Sequence, residues 1–293
     1  MNPATQISLT TVRLECFNGN LSGVGTGFLF EYKIKLNHEG KDQEFSVPMI
    51  ITNKHVVKDC TRLTTTLTLV PQNSIINDSV ATAEDSYKLV TIENLQEKIF
   101  HHPDPDVDIA AFSFYEFGHS IPKGKKIKIF AMDESFLLSP DERAYTRSIE
   151  SIIMVGYPNG LWDSSNNRPI TRKGVTASHP LHSWNGERKF LIDAACFPGS
   201  SGSPVYQFED GVVRTGETDI AFGTKARLIG ILFAGPLISQ EGRIEQRSIP
   251  TGTSYVAVTN AMMNLGFVAN ADVIKDLIPQ ITEMLQQQRK QPN

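Results

Sequence analysis

Phe197-Pro-Gly-Ser-Ser-Gly-Ser-Pro-Val205 crowds small residues around Ser201. A serine nucleophile needs such crowding, because backbone amides must come close to the reacting carbonyl. Glycine allows the turn and leaves the space. The amides of Gly199 and Ser201 can then converge on one spot as an oxyanion hole. Taken alone, the stretch also reads as an ordinary Gly/Ser turn. A strict Gly-x-Ser-x-Gly elbow is not met, because Ser203 stands where the second glycine belongs.

Two segments upstream sharpen the reading. In Met49-Ile-Ile-Thr-Asn-Lys-His-Val-Val57 an apolar strand runs into a polar turn and then a histidine. That places His55 just past a buried strand, where a general base is rigidly held. A satisfied structural histidine is the plain alternative. In Asp104-Pro-Asp-Val-Asp-Ile-Ala-Ala111 a carboxylate directly precedes a strand, positioned to accept from an imidazole Nδ1–H and fix its tautomer. Asp104 and Asp106 are rival acids in the same segment. The neighbouring His101-His102 pair invites a metal reading. Adjacent histidines in a proline-rich loop rarely converge on one ion, so neither a metal nor another cofactor is expected.

The chain order is His, Asp, Ser, the order of chymotrypsin and not of α/β-hydrolases. With these segments the sequence resembles the trypsin-like peptidases, especially the bacterial HtrA/Deg-like branch. Gly25-Thr-Gly-Phe28 resembles that branch's Gly-Ser-Gly-Phe. Thr52-Asn-Lys-His-Val-Val57 resembles its Thr-Asn-x-His-Val-Val, and Asp108-Ile-Ala110 its Asp-Ile/Leu-Ala. Gly156-Tyr-Pro158 and Gly174-Val-Thr-Ala177 resemble segments of its second barrel. Asp193-Ala-Ala-Cys-Phe-Pro-Gly-Ser-Ser-Gly-Ser-Pro204 resembles Asp-Ala-Ala-x-x-Pro-Gly-Asn-Ser-Gly-Gly-Pro. The resemblance runs over residues 7 to 262. It implies a mostly β fold of two six-stranded antiparallel β-barrels, chymotrypsin-like, with His55 as base, Asp108 as orienting acid and Ser201 as nucleophile.

Departures from the pattern matter. Ser200 replaces the aspartate of the animal digestive members, and no Ile-Val-Gly-Gly-like start opens the chain, so activation by a new N-terminal ammonium is not expected. The short remainder after Thr259 gives no expectation of a PDZ-like segment. Ala195, six residues before Ser201, falls at the base of the S1 pocket and supplies no carboxylate for a basic P1 residue. Gly230-Ile-Leu-Phe-Ala-Gly235 resembles the pocket wall, left open by Ala234 and Gly235. An apolar P1 residue is expected, in a substrate bound as an extended strand. The rival class is the same double barrel used without turnover, as a peptide- or protein-binding module.

The rest of the 293 residues agrees with this class. Hydrophobic residues make up 40% and charged residues 20%, as in ordinary globular proteins. A net charge of −4 gives no pull toward nucleic acid or an anionic membrane, and Lys123 to Lys128 reads as a solvated turn and strand edge. There is no signal-like start, no apolar run long enough to span a bilayer and only three cysteines, Cys16, Cys60 and Cys196. Free thiols, a cytoplasmic location and room for a regulatory protein partner follow as expectations.

Short β-branched and aromatic segments with turn punctuation mark strands at 7–17, 27–36, 47–52, 62–70, 87–92, 109–114, 125–131, 152–156, 190–193, 227–233 and 254–258. Gly23-Val-Gly-Thr-Gly27 reads as a strand bend and not a phosphate loop, since no helix pattern follows it. Helical periodicity appears only over Asp272–Gln288, with Asn270 as N-cap and Pro279 as a break. The expected division is a first barrel at 1–120 with His55 and Asp108, a second at 121–265 with Ser201, and a terminal helix and tail at 266–293. The helix is expected to pack on the last barrel.

Overall fold

The computed structural model describes residues 1–38, 41–77, 84–118, 120–235, 237–243 and 256–290. Strand alternation explains how its layers are built. Met49, Ile50 and Ile51 are all fully buried, yet Ile50 joins one hydrophobic cluster and Met49 and Ile51 another. Successive strand side chains leave opposite faces. A strand buried on both faces therefore reads as a continuous apolar run rather than an alternating one.

The first half comprises β1 (Thr11–Asn18), β2 (Leu21–His38), β3 (Lys41–Thr52), β4 (Arg62–Pro71), β5 (Ser86–Glu93), β6 (Ile99–His101), β7 (Ala110–Ser113) and β8 (Lys125–Ile127). They form an antiparallel sheet in the order β5-β4-β1-β2-β3-β7-β6, with β8 paired to β4. The second half adds β9 (Ser151–Gly156), β10 (Ile170–Thr176), β11 (Lys189–Asp193), β12 (Pro204–Arg214), β13 (Ile220–Ala234) and, past a two-stranded ribbon of β14 (Leu237–Arg243) and β15 (Val256–Met262), β16 (Leu265–Asn270). β9, β10, β11, β16, β13 and β12 close into a six-stranded barrel. The mostly β fold in two halves with a C-terminal helix is as expected. The first half differs in carrying eight strands, with no ladder closing it among the described residues. The second barrel extends to Asn270.

Among the described residues, three cores hold the molecule. One lies inside the first sheet, around Leu14, Ile50, Leu63 and Phe112. Another fills the closed barrel, around Met154, Phe190, Ile192 and Val205. The largest joins the halves: Phe28, Phe30, Met49 and Ile51 meet Val155, Tyr206, Leu228 and Ile231 there.

Some local expectations are corrected. Residues 7–10 are not strand: Pro3–Ser8 is a helix, because the Asn2 side chain accepts the Ala4 N–H at 2.8 Å and Pro3 opens the first turn. The strand expected at 125–131 ends at Ile127, and Lys128 is not solvated: its side chain is buried beside Asp85. Of the strand expected at 254–258, Ser254 and Tyr255 lie outside the described residues. The terminal segment splits at the predicted proline into a 3-10 helix Ala271–Leu277 and an α-helix Ile278–Lys290. Asn270 stands at the N-cap position as expected, but its side chain makes no capping bond. Its Nδ2 donates instead to the Pro180 carbonyl at 2.6 Å. Nor does the segment rest on the last barrel alone, since the Tyr32 hydroxyl of β2 donates to the Ile274 carbonyl at 2.9 Å. No helix among the described residues is long and apolar enough to cross a membrane.

Candidate active site

β3 delivers His55. The strand ends at Thr52, Asn53 turns the chain, and the single helical turn Lys54–Val57 follows. Val57 is fully buried and anchors that turn. Asp108 sits just before β7, whose Ala110 pairs with Thr52, so strand pairing alone brings the two segments together. The His55 Nδ1–H donates to Asp108 Oδ2 at 2.5 Å, and the His55 backbone N–H donates to Oδ1 at 3.0 Å. Asn53 Nδ2 adds a bond to the Asp108 carbonyl at 2.7 Å. Of the three aspartates, Asp108 is the one that meets the imidazole. Asp104 Oδ1 accepts the Asp106 N–H at 2.9 Å and caps its own turn. Burial lowers the Lys54 pKa against the opposing pull of Asp108, Asp104 and Asp106, and its ammonium donates to the Asp104 carbonyl at 2.7 Å. His101, which sequence placed beside His102, has its pKa lowered by burial and by Lys54.

Ser201 enters from the second half. The turn before β12 is held by the Ser200 N–H on the Phe197 carbonyl (3.0 Å), the Ser203 N–H on the Ser200 carbonyl (3.0 Å) and the Gly202 N–H on the Leu232 carbonyl (2.8 Å). Gly202 has φ +86°, and a Cβ there would collide with the Thr26 carbonyl. Gly199 has φ +84°, and a Cβ would come within 2.6 Å of the Tyr157 carbonyl. Both positions require glycine for backbone conformation and for close approach. The N–H groups of Gly199 and Ser201 have no acceptor among the described residues. The Ser200 hydroxyl is buried, also without a hydrogen-bond partner there.

Thr26 joins the two halves at this point. Its N–H donates to the Ser201 carbonyl at 2.8 Å, and its carbonyl accepts from the Thr52 hydroxyl at 2.8 Å. Thr52 lies three residues before His55. The seam thus brings Ser201 beside the segment that carries His55. No hydrogen bond joins the Ser201 hydroxyl to the imidazole; Oγ donates to the Phe233 carbonyl at 3.5 Å.

The expected pocket residues line up less completely. Ala234 ends β13 past a bulge and is exposed, Gly235 is half-buried, and Ala195 precedes the nucleophile turn. Sequence reading missed Arg172. Its guanidinium donates to the Ala195 carbonyl and lies over the Phe197 ring, 4.7 Å from the centroid. Burial lowers its pKa. Also missed were the roles of Thr26 and Tyr157, the latter buried, with a hydroxyl whose pKa burial pushes up to about 12. Their motifs were visible, but the cross-barrel bonds they make were not.

Residues 25–214 match the trypsin-like peptidase domain, a span that contains His55, Asp108 and Ser201. The chain belongs to this family. Among solved structures, the trypsin-like chain is similar to catalytically active tobacco etch virus protease complexed with product, at 14% identity over 94% of this chain and 80% of that one, with a TM-score of 0.48. It is similar to the thermostable serine protease AL20 from an extremophilic microorganism, at 11% identity over 94% and 98%, TM-score 0.44. A third likeness is the scabies mite inactivated protease paralogue S-I1, at 13% identity over 96% and 98%, TM-score 0.42. No curated protein matches the chain.

Proposed function

We propose that this trypsin-like domain is a serine endopeptidase. Ser201 Oγ attacks a peptide carbonyl while His55 Nε2 takes its proton, and Asp108 holds the imidazole in the required tautomer. The N–H groups of Gly199 and Ser201 stabilise the oxyanion. His55 then protonates the leaving amine, and water hydrolyses the acyl-enzyme. The observation that carries the reading is the two-point grip of Asp108 on His55, at 2.5 Å to Nδ1 and 3.0 Å to the backbone N–H. The reaction requires the Ser201 hydroxyl to turn from the Phe233 carbonyl to the imidazole, and apo sites commonly show loose nucleophile–base geometry.

Substrate binds as an extended strand, with an apolar P1 side chain over Ala195, Ala234 and Gly235. The Arg172 guanidinium on the Ala195 carbonyl supports exclusion of a basic P1 residue. Three free, buried cysteines fit a reducing compartment such as the cytoplasm.

A second reading, a peptide-binding module without turnover, is favoured by the Ser201 bond to Phe233. A fluorophosphonate probe separates the two. The peptidase reading expects covalent labelling of the wild-type chain and none of Ser201→Ala. A folded wild type that stays unlabelled overturns it in favour of the binding module.

A further inference from the structure

Asp108 lies at the end of a closed turn that starts at His102. The His102 N–H donates to the Ile109 carbonyl at 2.9 Å and closes it. Within the turn His102 is only 3% exposed, and its Nδ1 accepts the Asp104 N–H at 3.1 Å. A neutral imidazole that accepts at Nδ1 carries its proton on Nε2. That Nε2 lies 3.1 Å from Asp276 Oδ2, on the terminal 3-10 helix. The same oxygen takes the Arg188 guanidinium at 2.5 Å, from the residue before β11. Further along, Gln280 Nε2 donates to the His101 carbonyl at 3.1 Å. Beneath these polar ties Val273, Ile274, Leu277 and Ile281 share one core with Val107 and Ile109, the two residues flanking Asp108.

The acid turn is therefore gripped from both sides of its polypeptide: Lys54 bonds the Asp104 carbonyl on one, and the terminal segment holds His101 and His102 on the other. We propose that His102 and Asp276 are positioning residues for the reaction. Through them the terminal segment fixes the 102–109 turn so that the Asp108 carboxylate stays on His55. This rests on the reading of Asp108 as the orienting acid. An imidazole held in the wrong place or tautomer is a poor base, and a displacement on the order of 1 Å at a catalytic group is enough to slow turnover by roughly 10²-fold.

The test uses the full chain and two readouts. The first is the fluorophosphonate labelling rate against probe concentration, which separates the bond-forming rate constant from probe affinity. The second is the low-field proton resonance of the His55–Asp108 hydrogen bond, which needs no reaction. Asp276→Ala is expected to lower the rate constant about 10-fold with affinity unchanged, and to shift or broaden the resonance. Asp276→Asn, whose amide oxygen still accepts from His102 Nε2–H, is expected to restore most of both. Gln280→Ala, a milder change, is expected to move both readouts in the same direction and serves if Asp276→Ala does not fold. Wild-type rates and an unchanged resonance in folded Asp276→Ala, or in Gln280→Ala where that variant stands in, overturn the proposal. Equal losses in Asp276→Asn and Asp276→Ala also overturn it, by assigning the effect to the Arg188 ion pair. A wild type that is never labelled strikes the peptidase reading instead, while the resonance still decides the positioning role.

Discussion

Thr26 is fully buried, and four hydrogen bonds tie it across the seam, with a fifth from the Thr52 hydroxyl within its own half. Its hydroxyl donates to the Gly199 carbonyl at 3.1 Å and accepts from the Tyr157 N–H at 3.2 Å and the Ser203 hydroxyl at 3.3 Å. One short side chain thereby sets the nucleophile turn against the strand that leads to His55. Valine has the same shape without the hydroxyl. Thr26→Val leaves the buried Tyr157 N–H and Ser203 hydroxyl short of a partner, with an expected loss of about 1–3 kcal/mol in urea unfolding. Ser201 labelling should slow in parallel, and Thr26→Ser should keep both. A valine variant as stable and as reactive as wild type would remove Thr26 from this role. The flanking glycines made the motif visible in sequence. The partners of the threonine were not, because the bonds reach positions from 26 to 177 residues away. Asp108 was more legible, since the Ile-Ala that follows it begins the strand which pairs beside Thr52.

At the scale of the element, the terminal segment shows what periodicity can and cannot say. The spacing of Val273, Ile274, Leu277 and Ile281 marks one buried face, and all four are fully buried. Pro279 falls in the first turn of the α-helix, where its missing N–H is no loss, so the break it causes is placed correctly by sequence. The partner of the face is another matter. An apolar stripe states that something covers it and leaves open what. Here the cover is the shared core between the halves, including Phe28, Phe30 and Leu228. Ile274→Ala is accordingly expected to destabilise the whole fold by about 2–5 kcal/mol, through lost burial and the cavity left behind. Glu283→Ala, on the solvent side, should stay within about 0.5 kcal/mol. Urea unfolding of both checks this. If the two variants were equally mild, the terminal segment would be peripheral to the joint core.

For the whole molecule, three short motifs in their order carried the resemblance that implied two β halves meeting at a seam, because that order survives any loop length between them. Strand number in the first half was only partly readable: β8 was marked as part of a longer strand at 125–131, but β6 has three residues and its pairing depends on distant neighbours. The connection between the halves was equally opaque, although it contains a charged anchor. Ser139 and Glu142 form a capping box on the short helix Pro140–Ala144. Glu142 is buried at 8% exposure, where it meets Arg227 Nε at 2.8 Å, Lys225 Nζ at 3.0 Å and the Ser139 N–H at 2.9 Å. Burial alone would raise its pKa. The Arg227 bond, the Ser139 N–H and Lys225 outweigh it and hold the carboxyl down at about 2, from an ordinary 4.5. A folded pKa below the unfolded one means that the carboxylate stabilises the fold above pH 4.5, and that this contribution fades as pH falls toward about 2. The full window amounts to about 3 kcal/mol. Glu142→Gln should therefore be less stable than wild type at neutral pH, and the gap should narrow steadily through that acid window. Urea midpoints measured across it decide the matter: parallel losses in the two proteins would mean that the linker is not pinned to β13 by charge.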